Sequence, residues 1–395
     1  METTLESGCI RSLPFDLMLV LGSALLAIAS GLTVVAHPSW FGPILLADVW
    51  ILGSQHVIAT YTRLCFDMES FRQHRFLVLG VPWIVLLGVA TAISLTGGTV
   101  VVTTIYLYWQ WHHYAGQSYG VQRIYACKAH PEQASGPRDW LTALVMFAVP
   151  LWGILHRSLQ KQIHPEQVFL TFDFWALPVN QEGVWLSAMV ALGLCVAWLV
   201  REARACVSPG YSWASATYVM THCLIFLVGY YLIDDITFGW LVINVWHNVQ
   251  YVLLVWMYNN NRFRTGVDPK AWMLSFISQS KYVWLYFPVC IACAAIFYKL
   301  LAVLDSAVLA HVIANPAFLQ MNPEFFRSSG LVKLNLVPST GSLNSAAALA
   351  MLTYQVVNFH HYIADSRIWR VSKKEHLVGL GLAPSPTQSA LEAVV

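Results

Sequence analysis

Long apolar runs alternate with short polar breaks along almost the whole chain. Ten of these runs approach or exceed the roughly 20 residues that a helix needs to cross the hydrocarbon core of a bilayer. They cover residues 15–36, 41–64, 76–95, 99–126, 139–156, 182–200, 213–233, 238–258, 282–304 and 343–367. The breaks are too short and too uniform in composition to mark a domain boundary. The pattern therefore predicts an all-α fold, a polytopic bundle of about ten transmembrane helices that forms a single domain over residues 1–395.

Composition supports a membrane location. The chain of 395 residues is 57% hydrophobic and 11% charged, with a mean hydropathy of +0.57, whereas soluble domains carry about 25% charged residues. The formal net charge of +2 gives no reason to expect a nucleic-acid partner. The eight cysteines are scattered and imply no disulfide framework. We expect an integral, multi-pass protein of a plasma membrane or inner membrane.

The basic residues favour one orientation. Lys and Arg follow the second, fourth, sixth, eighth and tenth runs, and Arg63, Arg123, Arg201, Arg262 and Arg367 lie at or near those ends. The breaks after the first, third and seventh runs contain no Lys or Arg. Because basic loops tend to stay in the cytoplasm, both termini are predicted to be cytoplasmic. Residues 305–342 then form an extramembrane loop on the outer side, and residues 371–395 form a cytoplasmic tail.

Half of the fourteen histidines fall inside the apolar runs. These are His56, His112, His113, His222, His247, His360 and His361. An ionisable group at bilayer depth is costly unless it is paired, bound to a metal or exposed to a cavity. A rise of about 1.5 Å per residue, counted from each inner end, places His56, His113 and His361 in the cytoplasmic half and His247 nearer the midplane. These depths allow the histidines of four helices to converge on one site.

Polar residues lie one helical turn after several of these histidines. Thr60 follows His56, Gln117 follows His113, Gln250 follows His247 and Asp365 follows His361. A metal-binding imidazole usually gives its other N–H to such a neighbour, which fixes its tautomer and orientation. We predict that Thr60, Gln117, Gln250 and His222 support the site and that Asp365 is its catalytic carboxylate. Asp365 and Gln117 are also candidate oxygen ligands.

The predicted metal ligands are His56, His112, His113, His247, His360 and His361. Neighbouring residues on a helix point about 100° apart, so the two members of each His-His pair are not both expected to reach one ion. The alternative is a purely structural role, in which each histidine makes an independent hydrogen bond between helices. That alternative is the better interpretation for His222 taken alone.

The ligand types narrow the chemistry. Imidazoles suit iron, zinc, copper and nickel, while few cysteines or methionines lie at the same depth, which argues against a copper(I) site. The sequence favours a metal-dependent oxidoreductase or oxygenase with non-haem iron. Its expected partners are the membrane, a hydrophobic or lipid-like substrate that enters from the bilayer, and an electron donor. The alternatives are a haem protein for electron transfer, a transporter with a His/Gln/Asp path, and a zinc-dependent hydrolase. The HxxxH and HxxHH boxes of membrane fatty-acid desaturases do not occur.

Overall fold

The computed structural model describes residues 8–96, 100–130, 139–170, 173–208, 211–304, 343–368 and 377–382. The helices in these ranges are labelled in chain order. They are α1 Leu13–Ala36, α2 Pro38–Leu64, α3 Met68–Ile93, α4 Val100–Ala129, α5 Trp140–Ile163, α6 Gln181–Ala205, α7 Trp213–Leu232, α8 Ile236–Arg262, α9 Trp272–Ile277, α10 Val283–Leu304 and α11 Leu343–Ile368. The all-α prediction is confirmed, and each of the ten predicted runs corresponds to a helix.

Eight of these helices are long and apolar enough to cross a membrane, which indicates a multi-pass membrane protein. They are α1, α2, α3, α5, α6, α7, α8 and the apolar part of α10. The other two predicted spans, α4 and α11, are helices of 30 and 26 residues and carry two histidines each. The loop predicted at 305–342 and the tail predicted at 371–395 lie outside the described residues, except for residues 377–382. The orientation of the termini remains a prediction.

Helix α8 lies at the centre of the bundle. In its most apolar stretch 83% of the residues are buried, against 17% in α6, which lies at the periphery. Helix α8 has no charged residue before Arg262, and its polar residues, among them Asn244, His247 and Gln250, are buried like its apolar ones. Asp235 caps its N-terminus by accepting hydrogen bonds from the backbone N–H groups of Thr237 and Phe238 at 2.8 and 3.0 Å.

The helices around α8 approach it closely. Gly31 of α1 lies against Val242 of α8, and a Cβ atom at this glycine would overlap the valine side chain. Helices α2 and α7 also pack on α8, and α11 packs on α2, α3 and α4. Four helices, α2, α4, α8 and α11, therefore come together in the interior.

One irregular turn in α2 sets which of its residues face α8. Residues Asp48–Gly53 form a π-helical turn, which inserts about one extra residue into the helix. In a regular α-helix Asp48 and His56 would point about 80° apart, because eight residues span about 2.2 turns. Because the π-helical turn absorbs the extra residue, the directions of the two side chains around the helix axis differ by only about 20°. Both therefore face the central helix.

Candidate metal centre

Four buried histidines from four different helices meet in the interior. They are His56 of α2, His113 of α4, His247 of α8 and His361 of α11. One ring nitrogen from each histidine lies within 4.8 Å of the corresponding atoms of the other three. The most exposed of the four side chains, His113, is 8% exposed. This group, called the histidine group below, can hold a metal ion.

The spacing of the nitrogens is close to that of metal ligands. The Nε2 atoms of His56 and His361 are 2.7 Å apart. For a metal–nitrogen bond of about 2.1 Å, adjacent ligands lie about 3.0 Å apart in an octahedral site and about 3.4 Å apart in a tetrahedral site. Opposite ligands in the octahedral case lie about 4.2 Å apart. The nitrogens of the histidine group, which lie within 4.8 Å of one another, would have to move only slightly closer together to bind one ion. The short pair is at hydrogen-bond distance and lies slightly inside both ligand spacings.

One buried nitrogen in the group supports this fit. Within the described part of the chain, Nε2 of His113 is buried and has no hydrogen-bond partner. Buried polar atoms are nearly always paired, so such an atom calls for an explanation. A bound metal ion would provide the missing partner.

A hydrogen-bond network holds His361 in position. Its Nδ1 lies 2.9 Å from the hydroxyl of Thr60, which lies 2.6 Å from the hydroxyl of Tyr251. Tyr251 donates to Oδ1 of Asp365 at 2.7 Å. Because a carboxylate only accepts, we assign the direction of donation from His361 through Thr60 and Tyr251 to Asp365. This direction makes Nδ1 the protonated nitrogen of His361 and directs the lone pair of Nε2 towards the histidine group.

Aromatic rings pack against the imidazoles and fix their planes. The ring of Tyr251 stacks on His56 with centroids 3.9 Å apart, and that of Tyr362 stacks on His113 at 4.2 Å. Tyr114 lies against His247 at 4.2 Å. Rings held in this way lose little further freedom when they bind an ion, and the aromatic surroundings exclude water.

A second polar cluster lies along α2 and α8, about two turns from His56. Both carboxylate oxygens of the buried Asp48 accept hydrogen bonds from α8, one from Asn244 and the other from Asn248 at 3.1 Å. Asn244 in turn accepts from the hydroxyl of Tyr114 at 2.5 Å. Tyr114 thus connects this cluster to His247, against which it packs.

Two of the six predicted ligands lie outside the histidine group. His360 bonds instead to the carbonyl of Leu77 at 2.6 Å and to the hydroxyl of Tyr61 at 3.1 Å. The ring of His112 packs near Phe147, with centroids 5.7 Å apart. Each precedes a member of the group by one residue, so its side chain points about 100° away around the helix.

Of the residues predicted to support the site, some contact the histidine group and others do not. Thr60 and Asp365 contact His361 directly, and Gln117 donates to the backbone carbonyl of His247 at 3.3 Å. Gln250 points away from the group, because it accepts from Tyr218 and donates to the carbonyl of Leu19.

His222 is a buried histidine with a structural environment. Its two ring nitrogens lie 2.8 Å from the hydroxyl of Ser118 and 2.8 Å from the carbonyl of Met146. Both ring nitrogens therefore have partners on neighbouring helices. The contacts fit the hydrogen bond between helices that the sequence allows for this residue, rather than a role in supporting the histidine group.

Tyr251 is not among the residues that the sequence analysis predicts to support the site. Tyr251 follows His247 by four residues, which is the spacing that identified Thr60, Gln117 and Asp365. A search for any hydroxyl at that spacing, rather than for the amide at Gln250, would have found it.

A cavity of about 410 Å³ adjoins the histidine group. His113, Tyr251 and Asp365 line one part of it, and apolar side chains form most of the remaining wall. Its volume falls within the range of roughly 300–1,000 Å³ that is typical of small-molecule sites. A ligand in this cavity would lie beside the candidate metal centre.

No family model, no curated protein and no solved structure matches this chain. Inference about its function therefore depends on the geometry of the site and on the membrane-like helices around it.

Proposed function

We propose that this protein is a membrane-embedded, metal-dependent oxidoreductase, an oxygenase with non-haem iron that acts on a hydrophobic or lipid-like substrate. The observation that carries the proposal is the histidine group itself, in which four buried imidazoles from four helices present nitrogens within 4.8 Å of one another. Four histidines that each made a separate hydrogen bond between helices would not need to direct their nitrogens towards one point. The proposed site lies in the cytoplasmic half of the bundle.

The donor set favours iron over zinc. Iron accepts imidazole together with carboxylate ligands and supplies dioxygen activation when it is bound. The 2.7 Å separation of the His56 and His361 nitrogens is a hydrogen-bond distance, so both rings already face one point. Four imidazoles around a six-coordinate iron would leave two positions for other ligands. Oδ2 of Asp365, 3.5 Å from Nε2 of His361, is the nearest carboxylate oxygen.

The packing of the rings argues against haem at this point. The centroid of the His56 ring lies 4.4 Å from that of His361 and 4.8 Å from that of His247. The centroid of the His113 ring lies 5.0 Å from those of both His247 and His361. A porphyrin needs a flat slot between its two axial imidazoles, and rings in mutual contact provide none. A compact ion fits this arrangement better.

The residues of the chain have distinct roles in this proposal. Thr60 fixes the tautomer of His361, and the stacked rings of Tyr251 and Tyr362 hold the planes of His56 and His113. Asp365 is the catalytic carboxylate, placed to take up or return a proton at Oδ2, while Tyr251 donates to its Oδ1. The apolar cavity excludes water and positions the substrate.

The proposed partners follow from this chemistry. An oxygenase that inserts one oxygen atom needs two electrons from a donor to reduce the other atom to water, so an electron donor is part of the proposal. The substrate is hydrophobic because the cavity is largely apolar and lies among candidate membrane spans.

Metal analysis of the purified protein tests the proposal. We expect about one iron per chain, no Soret band, and oxygen consumption when a lipid extract and a reductant are supplied. His361→Ala should lose the metal, whereas His360→Ala, its neighbour with partners on α2 and α3, should keep it. Stoichiometric zinc would instead support a hydrolase, and a Soret band would support a haem protein. A folded sample without stoichiometric metal would support a transporter, so each of these three results would overturn the proposal.

A further inference from the structure

The cavity beside the histidine group is elongated. It follows α4 from Trp109 to Ile124, a length of about 22 Å for fifteen residues of helix. Helices α8 and α11 form its other sides. Leu380 lies at the end near Ile124, where Lys128 of α4 donates to the carbonyl of Gly381 at 3.2 Å. The shape suits a chain-like ligand better than a compact one.

Two charged side chains of α11, Asp365 and Arg367, line the cavity. Near the histidine group it is lined by His113, Tyr251 and the carboxyl group of Asp365. Arg367, exposed and six residues beyond His361, lines the cavity about 9 Å further along α11. Much of the remaining wall is apolar, with Val121, Ile124, Leu254, Tyr362 and Ile363.

Two glycines of α4 leave space along the cavity. Gly116 and Gly120 both line it, and a Cβ atom built at either position would meet no atom within 4 Å. They lie four residues apart and therefore on the same face of the helix. His113 also lines the cavity, so a ligand beside these glycines would lie next to the histidine group.

Building on the proposed function, we propose that this cavity binds a single-chain amphiphile with an anionic head group, with the head at Arg367 and the chain extending to the histidine group. The exposed guanidinium group of Arg367 attracts a carboxylate or phosphate. The buried carboxyl group of Asp365, two residues earlier on α11, repels it from the part of the cavity nearer the histidine group. The apolar wall accommodates the acyl chain. A middle carbon of the chain, rather than the head group, then lies beside the candidate metal centre.

Equilibrium binding of radiolabelled palmitate to the full chain in phosphatidylcholine nanodiscs tests this inference. Palmitate should bind about tenfold or more tightly than methyl palmitate, because the ester lacks the charge that Arg367 recognises. Palmitoyl lysophosphatidate, used as a competitor, distinguishes a carboxylate from a phosphate head group. If palmitate and its methyl ester bind equally, or if none of these probes binds, the inference is wrong.

Matched variants locate the head group and the chain. Arg367→Gln should remove the preference for palmitate over its ester, while Arg204→Gln, at the exposed inner end of α6, should keep it. Gly116→Leu and Gly120→Leu should weaken palmitate binding at least about tenfold by filling the cavity. Gly193→Leu provides the control, since it adds the same side chain on α6 where a Cβ also meets no atom.

The outcome is separable from that of the proposed metal centre. His361→Ala removes a proposed ligand but no part of the cavity wall, so it should lose the metal and keep palmitate binding. Retained binding in wild-type protein that proves to contain no metal would support the amphiphile site and overturn the oxygenase. Unchanged binding in Gly116→Leu, Gly120→Leu and Arg367→Gln would overturn the amphiphile site alone.

Discussion

The substitution Thr60→Val tests how the site holds His361. It removes one hydroxyl and keeps the shape and the branched Cβ of the side chain. That hydroxyl bonds to Nδ1 of His361 at 2.9 Å and to the hydroxyl of Tyr251 at 2.6 Å, and it lies 3.4 Å from Oδ1 of Asp365. Tyr251 keeps its bond to Asp365, so the loss falls mainly on His361.

The expected magnitude follows from the burial of this contact. Thr60 is 1% exposed and His361 is 3% exposed, so water cannot replace the hydroxyl. A buried N–H left without an acceptor costs on the order of 1–3 kcal/mol. Without that acceptor the imidazole no longer prefers the tautomer that leaves Nε2 free to bind metal. We therefore expect the metal affinity of Thr60→Val to fall roughly 10–100-fold, as is typical for groups that orient a ligand.

Competition with a chelator, measured on purified protein in detergent, gives this affinity. Thr60→Ser restores a hydroxyl and should recover most of it. Thr62→Val is the matched control on the same helix, because Thr62 is equally buried but bonds to the carbonyl of Ala59 and to Asn259 instead. If Thr60→Val binds metal as tightly as wild type, or no more weakly than Thr62→Val, then Thr60 does not orient a metal ligand.

Three further predictions concern the stability of the fold. Arg157→Met should lower the free energy of unfolding by about 3 kcal/mol or more, measured by denaturant titration in detergent, because the buried guanidinium donates to three backbone carbonyls at the end of α7. Asp67→Asn should lower the melting temperature at pH 7, and its difference from wild type should shrink as the pH falls below about 4. Burial alone would raise the pKa of Asp67, but the ion pair with Arg262 at 2.8 Å and hydrogen bonds from Ser70 lower it below its ordinary value. The stabilisation is thus complete above about pH 4 and lost as the pH falls through the folded-state pKa. Gly31→Ala should cost about 1–3 kcal/mol by overlapping Val242, as measured by the same titration.

Each of these predictions has a control, either a variant on the peripheral helix α6 or the pH profile itself. Arg204→Met removes an exposed arginine and should change stability little, so an equally small effect of Arg157→Met would refute the argument from buried carbonyls. Gly193→Ala adds a methyl group in open space and should be neutral or stabilising. For Asp67, a difference between variant and wild type that persists unchanged down to pH 3 would show that the carboxylate charge is not the cause.

The helices could be predicted because their signal is local. Apolar runs as long as 213–233 and 343–367 follow from the requirement that backbone groups be satisfied inside a bilayer, and no tertiary information is needed. The ends extend further than hydropathy predicts where polar residues continue the helix beyond the apolar run. Helix α5, for example, continues to Ile163, seven residues past the predicted end at His156. The turn Arg157-Ser158 is polar but buried, and Arg157 caps α7.

The site was predictable only in part. Depth and the spacing of one turn predicted six histidine ligands, of which the structure brings four together, and they predicted Thr60 and Asp365, which lie beside His361. An assumption of 100° per residue along a regular α-helix does not predict the π-helical turn that brings Asp48 onto the same face of α2 as His56. It also could not decide which member of each His-His pair points inward, because that depends on how α4 and α11 are rotated against their neighbours. The rotation is set by packing across the bundle and leaves no local signal.

X-ray absorption at the edge of the bound metal tests the central claim most directly. The account predicts iron with a first shell of nitrogen and oxygen at about 2.0–2.2 Å, and outer-shell scattering that requires four imidazoles. His56→Ala should reduce that number by one or lose the metal. A metal surrounded by fewer than three imidazoles, or a spectrum unchanged in His56→Ala, would contradict the claim that these four histidines form a shared metal centre.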